Sequence, residues 1–349
     1  MRYLSVCSGI EAASVAFEPL GWEAIAFAEI DPFACAVLAH RFPHVRNLGD
    51  FTKIEASDVG TVDLLIGGTP CQSFSCAGKR LGLDDPRGNL AIEFLRLAQR
   101  IRPRWILFEN VVGLLQSDGG RNFGIFLGLL GECGFQSFAY RVLDARHFGV
   151  GQRRRRVFVV GYSGAERNYP QAVLFNSESL RRHCETRRET REIASALTAT
   201  GVGGGSGPDD NSAQARHLVA VSSVTLACTP NSQALMGFAP RMETSNVATV
   251  CSEGDGARDA LEAAGDALMG KPPAGSRWTG VRRLVPVEAE RLMNFPDDFT
   301  LVPYRGKPAS DAVRFRALGN SMVTNVIYWI GSRIQMVEDI INAEKSKSA

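Results

Sequence analysis

The feature that most constrains this 349-residue chain is the alternation that fills its first 160 residues. Short apolar runs bounded by turn residues trade places with longer stretches of helical period. The runs 3–6, 24–28, 62–66, 105–108, 138–143 and 156–160 read as strands, and 11–20, 32–42, 89–101 and 122–133 as helices. In the third helix Leu90, Phe94, Leu97 and Ile101 recur at helical spacing, with Ala91, Leu95 and Ala98 beside them. Such alternation predicts an α/β fold, a mostly parallel sheet with helices on both faces. Ligands of such sheets bind at the carboxyl ends of the strands.

The alternation stops after Gly161. Residues 161–280 are glycine-rich, hold no long amphipathic helix, and contain the run Gly201-Val202-Gly203-Gly204-Gly205-Ser206-Gly207. Short runs at 218–221 and 247–250 read as strands in a smaller, loop-rich second domain. Acidic residues slightly outnumber basic ones there, so it is not a generally basic surface. Order returns near Val281. Pro286 opens a helix to about Met293, and Asn320-Ser321 are expected to cap a last helix. That helix carries Val323, Ile327, Ile330, Ile334, Val337 and Ile341 on one face and must pack on something. The sheet of the first domain is the nearest large apolar surface. The expected division is 1–170 plus 312–349 for the first domain and 171–311 for the second. The tail 344–349 is expected to fray.

Composition removes several classes. A length of 349 residues suggests about two domains, and 45% hydrophobic residues exclude disorder as the dominant state. No apolar run nears the roughly 18 residues of a membrane span, and the N-terminal apolar stretch is too short for a signal peptide. A cytoplasmic monomer with no obligatory protein partner is expected. Eight cysteines without a CxxC pair, among five histidines, argue against a zinc site or a disulfide framework, so no metal is expected. Free thiols follow, one of which can be a nucleophile. The net charge of +2 neither demands nor excludes a nucleic acid.

Four stretches can carry chemistry. Asp63-Leu64-Leu65-Ile66-Gly67-Gly68-Thr69-Pro70-Cys71 runs an apolar strand into a Gly-Gly turn and then Pro-Cys. This sets Cys71 at the binding edge, with Lys79, Arg80 and Arg87 in the polar loop that follows. A thiol reacts as thiolate, which nearby positive charge favours. A lone cysteine is more often a buried structural residue; the Gly-Gly-x-Pro context tips Cys71 towards a nucleophile. Trp105-Ile106-Leu107-Phe108-Glu109-Asn110-Val111 ends a second strand in a carboxylate, where Glu109 is either an acid or a solvated cap. Gln152-Arg153-Arg154-Arg155-Arg156 starts a strand whose alternation sends Arg154 and Arg156 to one face and Arg153 and Arg155 to the other. Those arginines either fork a phosphate or base carbonyl or form a solvated basic turn. Val6-Cys7-Ser8-Gly9-Ile10-Glu11 is a strand, tight turn and helix start, and Glu29, Asp31 and Asp50 follow later strands. An acid after the second strand suits ribose hydroxyls. One glycine is too few for a pyrophosphate but not for a nucleoside such as S-adenosylmethionine.

Taken together, these blocks resemble the C5-cytosine DNA methyltransferase family. Gly68-Thr69-Pro70-Cys71-Gln72-Ser73-Phe74-Ser75 is similar to its nucleophile block, Glu109-Asn110-Val111 to its ENV block, and 152–156 to its QxRxR block. Residues 282–296 and Gly319-Asn320-Ser321-Met322-Val323-Thr324-Asn325-Val326 are similar to two later blocks. The resemblance covers roughly 1–160 and 280–335, with five blocks in the family's order.

The resemblance implies a Rossmann-like, S-adenosyl-L-methionine-dependent domain with a smaller target-recognition domain, acting on double-stranded DNA in modification or restriction-modification. It implies that Cys71 adds to C6 of a flipped cytosine, Glu109 hydrogen-bonds N3, and Arg156 holds O2 with Arg154 nearby. It assigns the cofactor to Ser8, Gly9, Ile10, Glu29, Ile30, Asp50, Phe51, Pro70, Leu90, Asn320 and Ser321. Gln72, Ser75, Lys79, Arg80 and Arg153 are the expected DNA contacts. The family usually has an aromatic where Cys7 stands and glycines where Glu11 and Ala12 stand, so the cofactor loop is expected to differ there. An RNA methyltransferase on the same scaffold and a catalytically silent DNA binder are the alternatives. A nicotinamide dehydrogenase would need a fuller glycine motif.

Overall fold

The structure, a computed structural model, describes residues 1–70, 90–164, 168–175, 218–221 and 280–348. Two compact units divide the chain. The first comprises Met1–Leu143, Arg155–Thr186 and Val326–Ala349; the second comprises Asp144–Arg154 and Arg187–Asn325.

The first unit holds the alternation. Its strands are β1 (Arg2–Val6), β2 (Glu23–Ala28), β3 (Arg46–Asn47), β4 (Leu64–Gly67), β5 (Trp105–Val111), β6 (Ser137–Asp144) and β7 (Arg155–Tyr162). Its shorter helices are α1 (Ala12–Phe17), α2 (Pro32–Arg41), α3 (Ala56–Val59), α4 (Leu90–Ile101), α5 (Arg121–Glu132) and α6 (Tyr169–Leu174). α1 is shorter than its apolar pattern because Pro19 turns the chain into a 3-10 turn at Glu18–Leu20. α2 starts where Asp31 accepts the Phe33 and Ala34 amides and Pro32 presets the first turn. α4 buries Ala91, Phe94, Leu95, Leu97 and Ala98 completely, the face its spacing selects.

The sheet order is β3-β2-β1-β4-β5-β7-β6. The pairs from β3 through β5 are parallel, and β7 runs antiparallel to β5. From β1 the chain builds outward through β2 and β3, then crosses to start again at β4 on the other side. The carboxyl ends of β1 and β4 therefore flank the switch point, where a ligand crevice opens in such sheets. Close approach there is built in. Gly67 pairs with Val6, and a Cβ on Gly67 would come within 2.6 Å of the Val6 Cγ2 and carbonyl oxygen.

The long helix Thr324–Ser348 brings its stripe back to this unit. Ile327, Ile330 and Ile334 are fully buried, and Gly331 lets Phe17 approach so closely that a Cβ would meet its ring at 2.6 Å. Trp22 Nε1 donates to Gln335 Oε1 at 2.7 Å. The buried Glu338 accepts Arg104 Nη1 at 2.8 Å and Trp105 Nε1 at 2.6 Å.

In the second unit Leu218–Val221 pairs antiparallel with Gly280–Arg283, a helix spans Pro286–Leu292, and another spans Asp311–Asn320. The fully buried Glu290 accepts the Thr300 amide at 2.8 Å and Arg314 Nη2 at 3.0 Å. Three sequence expectations change. Asn320 ends the helix Asp311–Asn320, and Ser321 follows as its C-cap, so this pair does not cap the last helix, which starts at Thr324. The helix Asp311–Asn320 escaped the apolar pattern because one of its buried residues is Arg314. The tail stays helical through Ser348. The strand expected at 247–250 lies outside the described residues.

Candidate active site

The chain leaves β1 through a turn at 7–11 in which every second residue is left-handed: Cys7 (φ 48°), Gly9 (φ 55°) and Glu11 (φ 65°). Only glycine adopts this without cost. The Gly9 amide donates to Glu29 Oε2 at 2.7 Å, while Glu29 Oε1 accepts the amides of Ile30 and Asp31 at 2.8 and 2.7 Å. Asn47 on β3 clamps the Glu29 backbone, accepting its amide at 3.0 Å and donating to its carbonyl at 3.1 Å. Ser8 Oγ donates to the Ser5 carbonyl at 2.9 Å and accepts the Ala28 amide at 3.2 Å. The ends of β1 and β2 are thus joined by side chains.

Asp50 caps a 3-10 turn, accepting the Thr52 amide and hydroxyl at 3.1 and 2.8 Å. The Thr52 hydroxyl, with help from Lys53, holds its carboxyl below the usual range. Burial pushes the Cys7 thiol up to about 12, and the charges of Glu29 and Asp50 add to the effect. Cys7 is therefore a neutral thiol, with both carboxylates within electrostatic range of it. Ile30 is 73% exposed beside them, and a Cβ on Gly9 would meet nothing within 4 Å. Two carboxylate acceptors, an exposed apolar side chain and an open turn are chemically suited to ribose hydroxyls and an adenine ring.

The remaining cofactor expectations divide. Ile10 and Phe51 are buried in the core, so their side chains pack inside the fold rather than face a ligand. Pro70 is exposed and Leu90 half-buried. Asn320 and Ser321 belong to the second unit, where the buried Arg154 donates to the carbonyls of Gly319 at 3.1 Å and Ser321 at 2.7 Å. Arg154 thereby neutralises the carboxyl end of the helix Asp311–Asn320. In the same unit Gln152 Nε2 donates to the Leu292 carbonyl at 3.0 Å. Exposure alternates as foreseen, with Arg154 buried, Arg156 half-buried and Arg153 and Arg155 exposed, although the strand itself starts only at Arg155.

The second group of side chains lies at the end of β5. Glu109 stands opposite Phe158 and Val111 opposite Arg156 in the β5–β7 ladder, so Glu109 and Arg156 are diagonal neighbours on one face. Arg156 Nε sits 3.3 Å from Glu109 Oε1, and both side chains are largely buried, at 17% and 13% exposed. Asn110 turns to the neighbouring strand, and its Nδ2 donates to the Thr69 carbonyl at 3.0 Å. This bond ties the segment after β4 to the strand that carries Glu109. Cys71, Gln72, Ser75, Lys79 and Arg80 lie outside the described residues.

Sequence reading missed three contributors here. Asn110 stood next to a singled-out carboxylate, and an amide closing an apolar strand was its only signal. Asn47 sits in a two-residue strand too polar to notice. Glu11 was noted only as a departure from a glycine. Among the described residues no group of three or more His, Cys, Asp or Glu could hold a metal, and no helix is long and apolar enough to cross a membrane.

The chain is similar to known proteins both in sequence and in fold. The chain is 35% identical to a protein of Escherichia phage P1 named DNA N-6-adenine-methyltransferase, over 95% of this chain and 61% of that protein's length. It is 30% identical to the Type II methyltransferase M1.ScrFI of Lactococcus lactis subsp. cremoris, over 91% of this chain and 72% of the relative. Among solved structures, the Entamoeba histolytica methyltransferase EhMeth matches with a TM-score of 0.59 at 16% identity, covering 95% of this chain and 97% of its own. That likeness shows the fold. The model of C-5 cytosine-specific DNA methylases matches residues 1–336, nearly the whole length, and the chain belongs to that family.

Proposed function

We propose that the chain methylates C5 of cytosine in double-stranded DNA. The observation that carries this reading is the Glu109–Arg156 pair, 3.3 Å apart on one face of the sheet edge, with Asn110 holding Thr69 two residues before Cys71. C5 of cytosine is a weak nucleophile. The Cys71 thiolate adds to C6, and the electron pair of the C5–C6 double bond becomes available at C5. Glu109 hydrogen-bonds N3 and Arg156, which orients Glu109, holds O2, so the developing charge on the ring is stabilised. Gly9, Glu29, Ile30 and Asp50 would hold S-adenosyl-L-methionine, which would give its methyl group to C5 and leave as S-adenosyl-L-homocysteine. Loss of the C5 proton and departure of Cys71 then restore the ring. The base is flipped out of the helix first, at a cost of a few kcal/mol.

In this scheme Arg154 supports Asn320 and Ser321 through their neighbouring carbonyls. Gln72, Ser75, Lys79, Arg80 and Arg153 meet DNA, and the loop-rich region 171–311 selects the target sequence. The enzyme acts as a monomer in the cytoplasm without an obligatory protein partner.

The name of the phage P1 relative raises a second reading, methylation of adenine at N6. An amino group needs no covalent activation of the ring, so that chemistry leaves Cys71 and the Glu109–Arg156 pair without a task. One experiment separates the two. Duplex DNA is incubated with the chain and S-adenosyl-L-methionine, digested to nucleosides and weighed by mass spectrometry. 5-Methylcytosine is expected, and Cys71→Ser is expected to form none; N6-methyladenine, or full activity of Cys71→Ser, refutes the proposal. Transfer RNA in a parallel reaction tests the RNA alternative.

A further inference from the structure

Glu11 is the one fully buried carboxylate in the turn that follows β1, and the reaction scheme does not use it. It is 0% exposed. Its Oε2 accepts the Ser5 hydroxyl at 2.7 Å, and its Oε1 accepts the Ser14 amide at 3.0 Å and the Ser14 hydroxyl at 3.2 Å. Ser14 Oγ lies 2.7 Å from the Tyr3 hydroxyl. Tyr3, Ser5, Glu11 and Ser14 thus form one polar network beneath the turn, joining β1 to the first turn of α1. Above it stands Gly9, whose amide meets Glu29.

The backbone shows what this network is for. Glu11 holds φ 65°, a conformation that glycine adopts freely and a glutamate does not. Strain of this kind persists only where surrounding contacts over-determine it. Here those contacts are the three hydrogen bonds to the Glu11 carboxyl. Burying a carboxyl is itself unfavourable, so a merely space-filling residue at this position would be apolar. The outcome is a turn whose shape depends on a side chain rather than on glycine flexibility.

We propose that Glu11 is a positioning residue for the cofactor: its buried carboxyl fixes the 7–11 turn in the shape that presents Gly9 and Glu29 to the adenosyl group. The proposal rests on the methyltransferase reading above. Burial pushes the carboxyl up to about 7, so it passes between its charged and neutral forms near neutrality. Glutamine reproduces the neutral form: its amide oxygen accepts from Ser14 while its amide nitrogen donates to Ser5. Alanine leaves Ser5 and Ser14 without their shared partner.

The test titrates the full chain with S-adenosyl-L-homocysteine by calorimetry and measures initial rates against S-adenosyl-L-methionine concentration. Glu11→Ala is expected to raise Kd and KM by about tenfold or more, and Ser5→Ala by about threefold, as loss of buried hydrogen bonds requires. The loss falls on KM, with kcat at saturating cofactor within about threefold, and Glu11→Gln restores Kd to within about threefold of the parent chain. Parental affinity in Glu11→Ala overturns the proposal, as does a Glu11→Gln loss equal to that of alanine or a loss confined to kcat. If Glu11→Ala melts below the assay temperature, Ser5→Ala decides, since it leaves the turn's backbone unaltered; an unchanged KM there overturns the proposal. A parent chain that binds neither compound instead refutes the methyltransferase reading itself.

Discussion

At the scale of single residues, two carboxyls show how differently one sheet edge treats the same group. Glu109 shares its burial with Arg156, whereas Glu11 meets hydroxyls and an amide but no cation. Desolvation therefore dominates at Glu11 and lifts its carboxyl to about 7, against 4.5 for a free side chain. Between those values the folded chain keeps a proton that the unfolded chain has released. The stability this site contributes is whole below the unfolded value and is lost as pH rises through about 7. Glu11→Gln cannot ionise. Its stability relative to the parent should rise by about 2–3 kcal/mol between pH 5 and pH 8.5, read from urea midpoints. A difference that stays constant over that range means Glu11 does not titrate in the fold. Glu109 carries the opposite expectation: Glu109→Gln should lower kcat by about a hundredfold or more, with KM for the cofactor unchanged, because the proposed scheme sets it against the base and not the adenosyl group.

At the scale of elements, the first unit is legible wherever apolar period and turn chemistry agree. The stripe from Val323 to Ile341 was visible before anything was known of its partner, and it is buried as the period requires. Two kinds of element escaped. The helix Asp311–Asn320 buries Arg314 against Glu290 and Thr300, and a buried charge reads as a surface residue until its partners are seen. Alternation set Arg154 apart from Arg153 and Arg155, but it does not say which face is buried or what waits on it, here the carbonyls of Gly319 and Ser321. Polar anchors of this type also hold the last helix. Glu338 is 2% exposed and takes both Arg104 and Trp105 Nε1. Glu338→Ala strands the indole N–H, while Arg104 keeps Asp63 at 2.6 Å. The expected loss is about 2–3 kcal/mol, seen as a lower urea midpoint at unchanged slope. Glu338→Gln, which keeps an acceptor for the indole, should lose about half as much.

At the scale of the whole molecule, the net charge of +2 hides where any DNA affinity must come from. A chain with 39 basic and 37 acidic residues has no general pull on a polyanion, so binding depends on a few local cations. Lys79, Arg80 and Arg87 sit in one stretch and Arg153, exposed at the start of the QxRxR run, in another. If these four meet phosphates, counterion release sets the slope of log K against log salt at about −3.6 for the full chain on duplex DNA. Anisotropy of a labelled duplex between 50 and 300 mM KCl measures it. Arg153→Gln should flatten the slope by about 0.9, weaken binding to every duplex alike and leave the methylated sequence unchanged, because a phosphate contact carries no base information. A slope steeper than about −7 would mean that the slightly acidic region 171–311 supplies cations after all, and base reading and phosphate binding would then share one surface. A change of target sequence in Arg153→Gln would instead put that side chain on a base edge, where a guanidinium most often meets guanine.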